Sequence, residues 1–205
     1  MDERLLLWVN QGWGQPLLDG LFWWVSQRLW FALPLALILL YDSVRRCGRG
    51  GLRWFLMLAA TVAVGDVLGD LLKEWFAEPR PCQAVFEQLR ALGGAVADRC
   101  GTALNGMPSN HAINFFAAAS FVAIVTPWRG WRVGLCAAAL LVGLSRIYLG
   151  KHYPSQVLAG AVIGVAVGGL GAWLVVRYPT VFSPPLGDRT RPPFRSSAAN
   201  RELDE

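Results

Sequence analysis

Charged residues are scarce in this sequence. Asp, Glu, Lys and Arg make up 16% of its 205 residues, whereas 54% are hydrophobic. With ten tryptophans and a mean hydropathy of +0.38, this composition excludes an ordinary soluble domain and favours a protein embedded in the bilayer. The net charge of +5 does not indicate nucleic acid, because the arginines gather in short loops and not along one face. We therefore expect a lipid bilayer and no nucleic acid as partner.

Histidine is scarcer still, since the chain has only two. His111 and His152 are too few for a zinc site, and no acidic cluster typical of magnesium ligands accompanies them. We therefore expect no metal and no other cofactor.

Long apolar segments are present, and they predict an all-α, polytopic membrane helical bundle. The five segments are residues 20–41, 54–72, 112–128, 133–149 and 157–176. Ser26, Gln27 and Arg28 interrupt the first, and a sixth span arises if residues 17–27 enter the bilayer. The last contains no charge and has glycine at every fourth position from 160 to 168, a spacing that lets two helices approach closely in lipid.

The chain divides into a membrane-embedded domain, residues 1–178, and a tail. Residues 179–205 are rich in Pro, Ser and Arg, which predicts a disordered cytoplasmic tail. Residues 1–18 predict a short helix that either lies in the membrane interface or packs on the domain. They hold acidic Asp2 and Glu3, no basic cluster and no small-residue cleavage site, so we expect no signal peptide.

Arginines occupy alternate loops, which predicts the orientation in the membrane. They lie within residues 45–53, within 129–132, and after residue 176. The positive-inside rule places these segments in the cytoplasm and the N-terminus outside. Residues 73–111 and 146–155 then face the periplasm of a bacterial-type inner (plasma) membrane. Four tryptophans at span ends are expected to anchor the interface, namely Trp54, Trp75, Trp128 and Trp131.

Two of the four cysteines fall in the same outer loop. Cys82 and Cys100 are candidates for a disulfide, because an oxidising compartment permits one and closure of the loop would contribute roughly 3 kcal/mol. Two free thiols are the alternative. Cys47 and Cys136 have no evident partner.

Polar side chains suited to phosphoryl transfer fall on the predicted outer side. They are Lys73, Arg80, Ser109, His111, Arg146 and His152. Phosphoryl transfer needs cations for the equatorial oxygens, a nucleophile in line with the leaving group, and an acid for the leaving oxygen. Asp66 and Asp70 share a helix face with Lys73 and are expected to position it. Local ion pairs of Lys73 and Arg80 with Glu74 and Glu78 are the alternative.

The order and spacing of these residues carry a family resemblance. Six residues separate Lys73 from Arg80-Pro81, residues 108–111 read Pro-Ser-Asn-His, and five residues separate Ser145-Arg146 from His152. This pattern resembles the three-part signature of the type 2 phosphatidic acid phosphatase superfamily, and the apolar spans favour its integral-membrane lipid phosphatase branch.

The resemblance implies a role for each residue. His152 attacks phosphorus to form a phosphohistidine, and His111 protonates the leaving oxygen and later activates water. Lys73, Arg80 and Arg146 hold the phosphate oxygens. Ser109, Asn110 and nearby backbone N–H groups add hydrogen bonds. The family needs no divalent metal for this reaction.

Two positions depart from the family pattern. Asn110 replaces a glycine, and asparagine tolerates a left-handed backbone better than most residues. Gln156 replaces the aspartate that holds the nucleophilic imidazole. Its amide oxygen can accept the ring's hydrogen bond, but it brings no negative charge to the developing cation. We therefore count Gln156 among the catalytic residues and expect either a slow enzyme or a lipid-phosphate binding protein.

The family resemblance implies a lipid phosphate or diphosphate substrate. Undecaprenyl diphosphate is our first choice, because a compact chain without an added soluble domain suits recycling of that carrier. Phosphatidylglycerol phosphate, phosphatidic acid and lipid A are the alternatives, as is transfer of the phosphate to a second lipid.

Overall fold

The regular elements of the computed structural model, which describes residues 1–90 and 101–179, are all helical. The helices are α1 (Asp2–Gly12), α2 (Pro16–Val25), α3 (Leu33–Cys47), α4 (Arg49–Phe76), α5 (Pro81–Ala84), α6 (Asn110–Val125), α7 (Arg129–Tyr148) and α8 (Pro154–Arg177). A π-helical turn, Arg28–Ala32, leads into α3, and Phe86–Gln88 form a 3₁₀ turn. The predicted all-α, polytopic membrane bundle is confirmed. Residues 180–205, and with them nearly all of the predicted tail, lie outside the described residues.

Not all of the five predicted spans are long enough to cross a bilayer alone. Within the described residues, three helical segments are long and apolar enough to do so: Arg49–Ala84, Arg129–Tyr148 and Pro154–Arg177. The pair Pro16–Val25 and Arg28–Cys47 adds a fourth if it counts as one span, and it is bent by 76° at Ser26 and Gln27. Helix α6 has 16 residues, or about 24 Å at about 1.5 Å per residue, against a hydrocarbon core of about 30 Å.

Helix α6 lies at the centre of the bundle and packs against α4, α7 and α8. The α8 glycines make the closest of these approaches. A Cβ at Gly160, Gly164 or Gly168 would lie 2.6, 2.4 or 2.2 Å from a backbone oxygen of α6 or the residue before it. The predicted close packing along this stripe is confirmed, and it leaves no room for a side chain between the two helices.

One end of the bundle, which we call the motif end, collects the C-termini of α4 and α7 and the N-termini of α6 and α8. Helix α4 ends at Phe76, and the left-handed φ of 46° at Ala77 turns the chain toward α5. Helix α1 covers this end with Leu6, Val9 and Asn10 buried, and Asn10 Nδ2 donates to the Tyr148 carbonyl at 2.7 Å.

The opposite end of the bundle carries an ion pair and several tryptophans. Arg46 pairs with Asp42 at 2.7 Å, and its guanidinium lies 5.1 Å from the ring centroid of Trp128. Trp131 Nε1 also donates to Asp42 at 2.8 Å. The prediction for Trp54 was wrong, because its side chain is fully buried against Phe121 and is not at the surface.

Candidate functional site

His152 lies in the tight turn between α7 and α8 at the motif end. The backbone N–H groups of Lys151 and His152 both donate to the Arg146 carbonyl, at 2.9 and 3.1 Å, and Gly150 supports the turn with a φ of 63°. The imidazole is 2% exposed. Its Nδ1 lies 2.8 Å from the Gly106 carbonyl oxygen and 3.3 Å from Gln156 Oε1. Because both partners are acceptors, Nδ1 carries the proton and the lone pair of Nε2 is free.

Burial lowers the pKa of the His152 imidazole well below its usual value, and the positive charges of Arg146 and Arg80 lower it further. The ring is therefore neutral near pH 7. A neutral imidazole with an unprotonated Nε2 is the form that can act as a nucleophile.

Arg146 lies in the last turn of α7, 8% exposed. Its Nη1 donates to the Ser26 hydroxyl in the break between α2 and α3. Its buried Nε has no hydrogen-bond partner among the described residues. Burial of a guanidinium with a spare donor is typical of a site that binds an anion.

Arg80 precedes α5 and reaches the same region. Its Nε donates to Asn105 Oδ1 at 2.8 Å, and its backbone N–H donates to Gln83 Oε1 at 2.9 Å. Asn105 is followed directly by Gly106, so one short segment orients both Arg80 and His152.

Ser109 and His111 bring the second motif to these residues. Ser109 is fully buried, its N–H donates to the Gln156 carbonyl at 3.1 Å, and its hydroxyl has no partner among the described residues. His111 follows Asn110 in the first turn of α6, and the backbone of Ser26 is close enough to act on its ring. It lies within electrostatic reach of Arg146 and Arg80.

Asn110 has a different backbone conformation from the one expected. It lies in the first turn of α6, so no left-handed backbone is involved. Its Nδ2 donates to Asp70 Oδ1 at 2.8 Å and to Asp66 Oδ1 at 3.1 Å. Asp70 in turn pairs with Lys73 at 2.9 Å. Asn110 therefore ties the second motif to the first across α4.

Lys73 is linked to the second motif through Asp70, with which it forms an ion pair. The contacts agree with the expected role of Asp70 in positioning Lys73. They do not support the alternative in which Glu74 and Glu78 pair with Lys73 and Arg80.

Cys82 is disulfide-bonded, and Cys100 lies outside the described residues. Cys47 and Cys136 are free thiols.

An apolar groove of about 330 Å³ opens beside His111 and runs between α3, α4, α6 and α7. Arg28 and His111 lie at one end of it, and Asn114 is a further polar residue in its lining. Among the apolar residues that line it are Leu35, Leu39, Leu58, Val62, Phe115 and Leu135. The groove therefore joins a cationic end to a hydrocarbon-like interior.

Several contributors to the site were missed at the sequence level: Ser26, Arg28, Glu78, Asn105 and Gly106. The signal for Ser26 and Arg28 was the polar interruption of the first span. Asn105 and Gly106 form an Asn-Gly pair one residue before the second motif, which indicates a tight turn. Within residues 1–90 and 101–179, no group of three or more His, Cys, Asp or Glu side chains is placed to hold a metal ion.

The fold and the gathered side chains define an integral-membrane helical protein with an anion site built from arginine and histidine. The family model of the PAP2 superfamily matches residues 54–180, more than half of the chain. The chain belongs to this superfamily, as its three motifs predicted.

Relatives and solved structures agree with this assignment. The crystal structure of Aquifex aeolicus LpxE has a TM-score of 0.62 and 25% identity, covering 83% of this chain and 93% of that one. A Lipid A 1-phosphatase of Porphyromonas gingivalis is 38% identical over 90 residues, which cover 40% of this chain and 20% of that protein. An Undecaprenyl-diphosphatase of Sulfolobus acidocaldarius is 29% identical over 150 residues, covering 72% of this chain and 66% of that protein. The chain thus matches only about a fifth of the length of the Porphyromonas relative.

Proposed function

We infer that this protein hydrolyses a phosphate or diphosphate ester carried by a membrane lipid, with His152 as the nucleophile. The observation that carries this inference is the fixed tautomer of His152. Its Nδ1 faces two carbonyl oxygens, so the Nε2 lone pair is available for phosphorus. Arg80, Arg146 and His111 surround the same ring closely enough for their charges to act on it.

The reaction proceeds in two displacements. Nε2 of His152 forms a bond to phosphorus, the bond from phosphorus to the lipid oxygen breaks, and His111 gives that oxygen a proton. Water then attacks phosphorus, His111 takes a proton from it, and the electron pair of the phosphorus–nitrogen bond returns to Nε2. Arg80, Arg146 and the Ser109 hydroxyl stabilise the oxygens in both transition states.

The apolar groove supports a lipid as the substrate. An in-line displacement places the leaving group opposite the nucleophile, on the side of the acid. His111 is that acid, and the groove begins at His111. The hydrocarbon chain of the leaving alcohol therefore extends into the groove.

The names of the relatives guide the choice of lipid. They include lipid A phosphatases and an undecaprenyl-diphosphatase. Undecaprenyl diphosphate remains our first substrate, with lipid A, phosphatidylglycerol phosphate and phosphatidic acid to be tested beside it. The arginine distribution supports an active site at the periplasmic face of an inner membrane.

Phosphate release from each of these lipids by detergent-purified protein tests the proposal, with EDTA present and absent. We expect release from at least one lipid, unaffected by EDTA and abolished by His152→Ala. Turnover that survives His152→Ala would refute the nucleophile. Phosphate recovered on a second lipid would indicate transfer in place of hydrolysis.

The second candidate function is lipid-phosphate binding without turnover, which the neutral side chain of Gln156 favours. It predicts that neither the natural protein nor Gln156→Asp releases phosphate, while His152→Ala still binds the lipid in a vesicle sedimentation assay. Any turnover by the natural protein excludes it.

A further inference from the structure

The His152 ring needs compensation for a positive charge once it is bonded to phosphorus. Both acceptors of its Nδ1–H group, the Gly106 carbonyl and the Gln156 amide oxygen, are neutral. They orient the ring but supply no full negative charge. Any compensating charge from a side chain near Nδ1 therefore has to come from a residue beyond them.

Gln156 is held in one orientation by its own hydrogen bonds. Its side chain is 1% exposed, and Oε1 also accepts from the backbone N–H of Tyr153 at 3.2 Å. Its Nε2 donates to the Pro79 carbonyl at 3.0 Å and to Glu78 Oε2 at 3.3 Å. Since both partners of Nε2 are acceptors, the amide cannot be flipped, and its oxygen must face His152.

Glu78 contacts both groups that hold the imidazole. Its carboxylate accepts from Gln156, and its main-chain carbonyl accepts from the Gly106 N–H at 2.8 Å. A carboxylate at the far end of an amide polarises that amide and makes its oxygen a stronger acceptor. Among the hydrogen-bond partners of His152 and Gln156 in the described part of the chain, Glu78 is the one acidic residue.

We propose that Glu78 is a positioning residue for the reaction and that its charge reaches His152 through the Gln156 amide. This proposal rests on the proposed function, in which His152 is the nucleophile. Glu78 thereby replaces the aspartate expected at position 156, with the amide as the link. The pair Glu78 and Gln156 does together what a single carboxylate does when it contacts a catalytic imidazole directly.

The first test is Glu78→Gln, with Glu74→Gln as its matched control. Glu74 loses the same charge four residues earlier on α4, where its side chain is exposed. We expect Glu78→Gln to lower kcat about tenfold to a hundredfold with little change in KM, as for other residues that orient a catalytic group, and Glu74→Gln to leave both unchanged. Glu78→Asp, which keeps the charge, should recover part of the loss.

The second test is a double-mutant cycle with Gln156→Asp, which brings a carboxylate directly to the ring. In that background Glu78→Gln should cost less than threefold, because the charge no longer has to pass through an amide. If the single variant Glu78→Gln does not fold, the comparison of Gln156→Asp with the double variant still tests the role of Glu78. An undiminished loss in the double variant would overturn the proposal.

The outcomes separate this proposal from the one on which it rests. If the natural protein releases phosphate and His152→Ala does not, the proposed function stands. Equal kcat values for Glu78→Gln and Glu74→Gln would then refute only the role of Glu78 and leave the proposed function in place. If His152→Ala retains turnover, the proposed function fails first.

Discussion

Replacing Gly106 with alanine tests the packing behind His152. Gly106 has no positive φ, so the added methyl group acts through its volume alone. Its Cβ would lie 2.6 Å from Gln156 Nε2, 2.6 Å from the Pro79 carbonyl oxygen and 3.0 Å from the Glu78 carbonyl oxygen. Two of these atoms belong to the backbone, and the third is fixed by its hydrogen bonds. The segment around Gly106 therefore has to move.

The size of this movement sets the expected effect on catalysis. Restoring ordinary van der Waals contact requires a shift of roughly 0.8 Å. Because the Gly106 carbonyl holds Nδ1 of His152, the imidazole moves with it. A misplacement of about 1 Å costs about a hundredfold in rate, so we expect kcat of Gly106→Ala to fall about tenfold to a hundredfold. Overpacking of this kind also costs about 1–3 kcal/mol of stability.

Phosphate release by detergent-purified protein and its melting temperature are the two measurements. Gly130→Ala is the matched control, because a Cβ there has no neighbour within 4 Å. We expect Gly130→Ala to match the natural protein in both assays. A Gly106→Ala variant with unchanged kcat and melting temperature would refute the close packing, and an equal loss in Gly130→Ala would show that the effect is not local.

Four further predictions concern protonation and packing. In His111→Asn protein, whose one remaining histidine is His152, the ¹⁵N signals of the ring should stay those of neutral imidazole at pH 6; a half-protonated ring there would contradict its lowered pKa. Because the unfolded chain takes up this proton below about pH 6.5 and the folded protein does not, the stability contributed by His152 is complete above that pH. It falls by up to about 1.4 kcal/mol per unit below that pH, and melting temperatures of His152→Asn should show a weaker acid dependence. Gly164→Leu should prevent folding, because its Cβ would lie 2.4 Å from a backbone oxygen, whereas Gly169→Leu, with no neighbour within 4 Å, should keep a native melting temperature. Asn110→Ala should lower the melting temperature by the equivalent of about 1–3 kcal/mol, because it removes the part-buried hydrogen bonds of a buried side chain to α4; an unchanged value would show that those bonds contribute nothing.

The location of the site could be predicted because few positions in a membrane helix tolerate charge. Lys73 and Arg146 had to lie at helix ends, and alternating helix direction then brings both to the same side of the bundle. The glycine stripe of α8 was equally clear, since its spacing has a single geometric meaning. The polar break at Ser26 was also visible, and the chain does bend there.

The contacts that complete the site could not be predicted, because they join residues distant in sequence. Ser26 lies 120 residues from Arg146, to which it is hydrogen-bonded. No local pattern encodes that pairing, and Ser26 was interpreted only as an interruption of a span. Asn110 was explained by backbone conformation because its own neighbours suggested it, while its partners lie on α4. The end of α6 was predicted three residues too late, at Trp128, whereas the helix ends at Val125.

The turn after α7 makes one residue serve two purposes. Arg146 turns its guanidinium toward the anion site, and its main-chain carbonyl receives the N–H groups of Lys151 and His152. The Arg146 guanidinium and the His152 imidazole are therefore held by one turn at the C-terminal end of α7. A thinner or thicker bilayer that tilts α7 displaces both groups together. The depth of the site in the membrane then changes, but the distance between Arg146 and His152 does not.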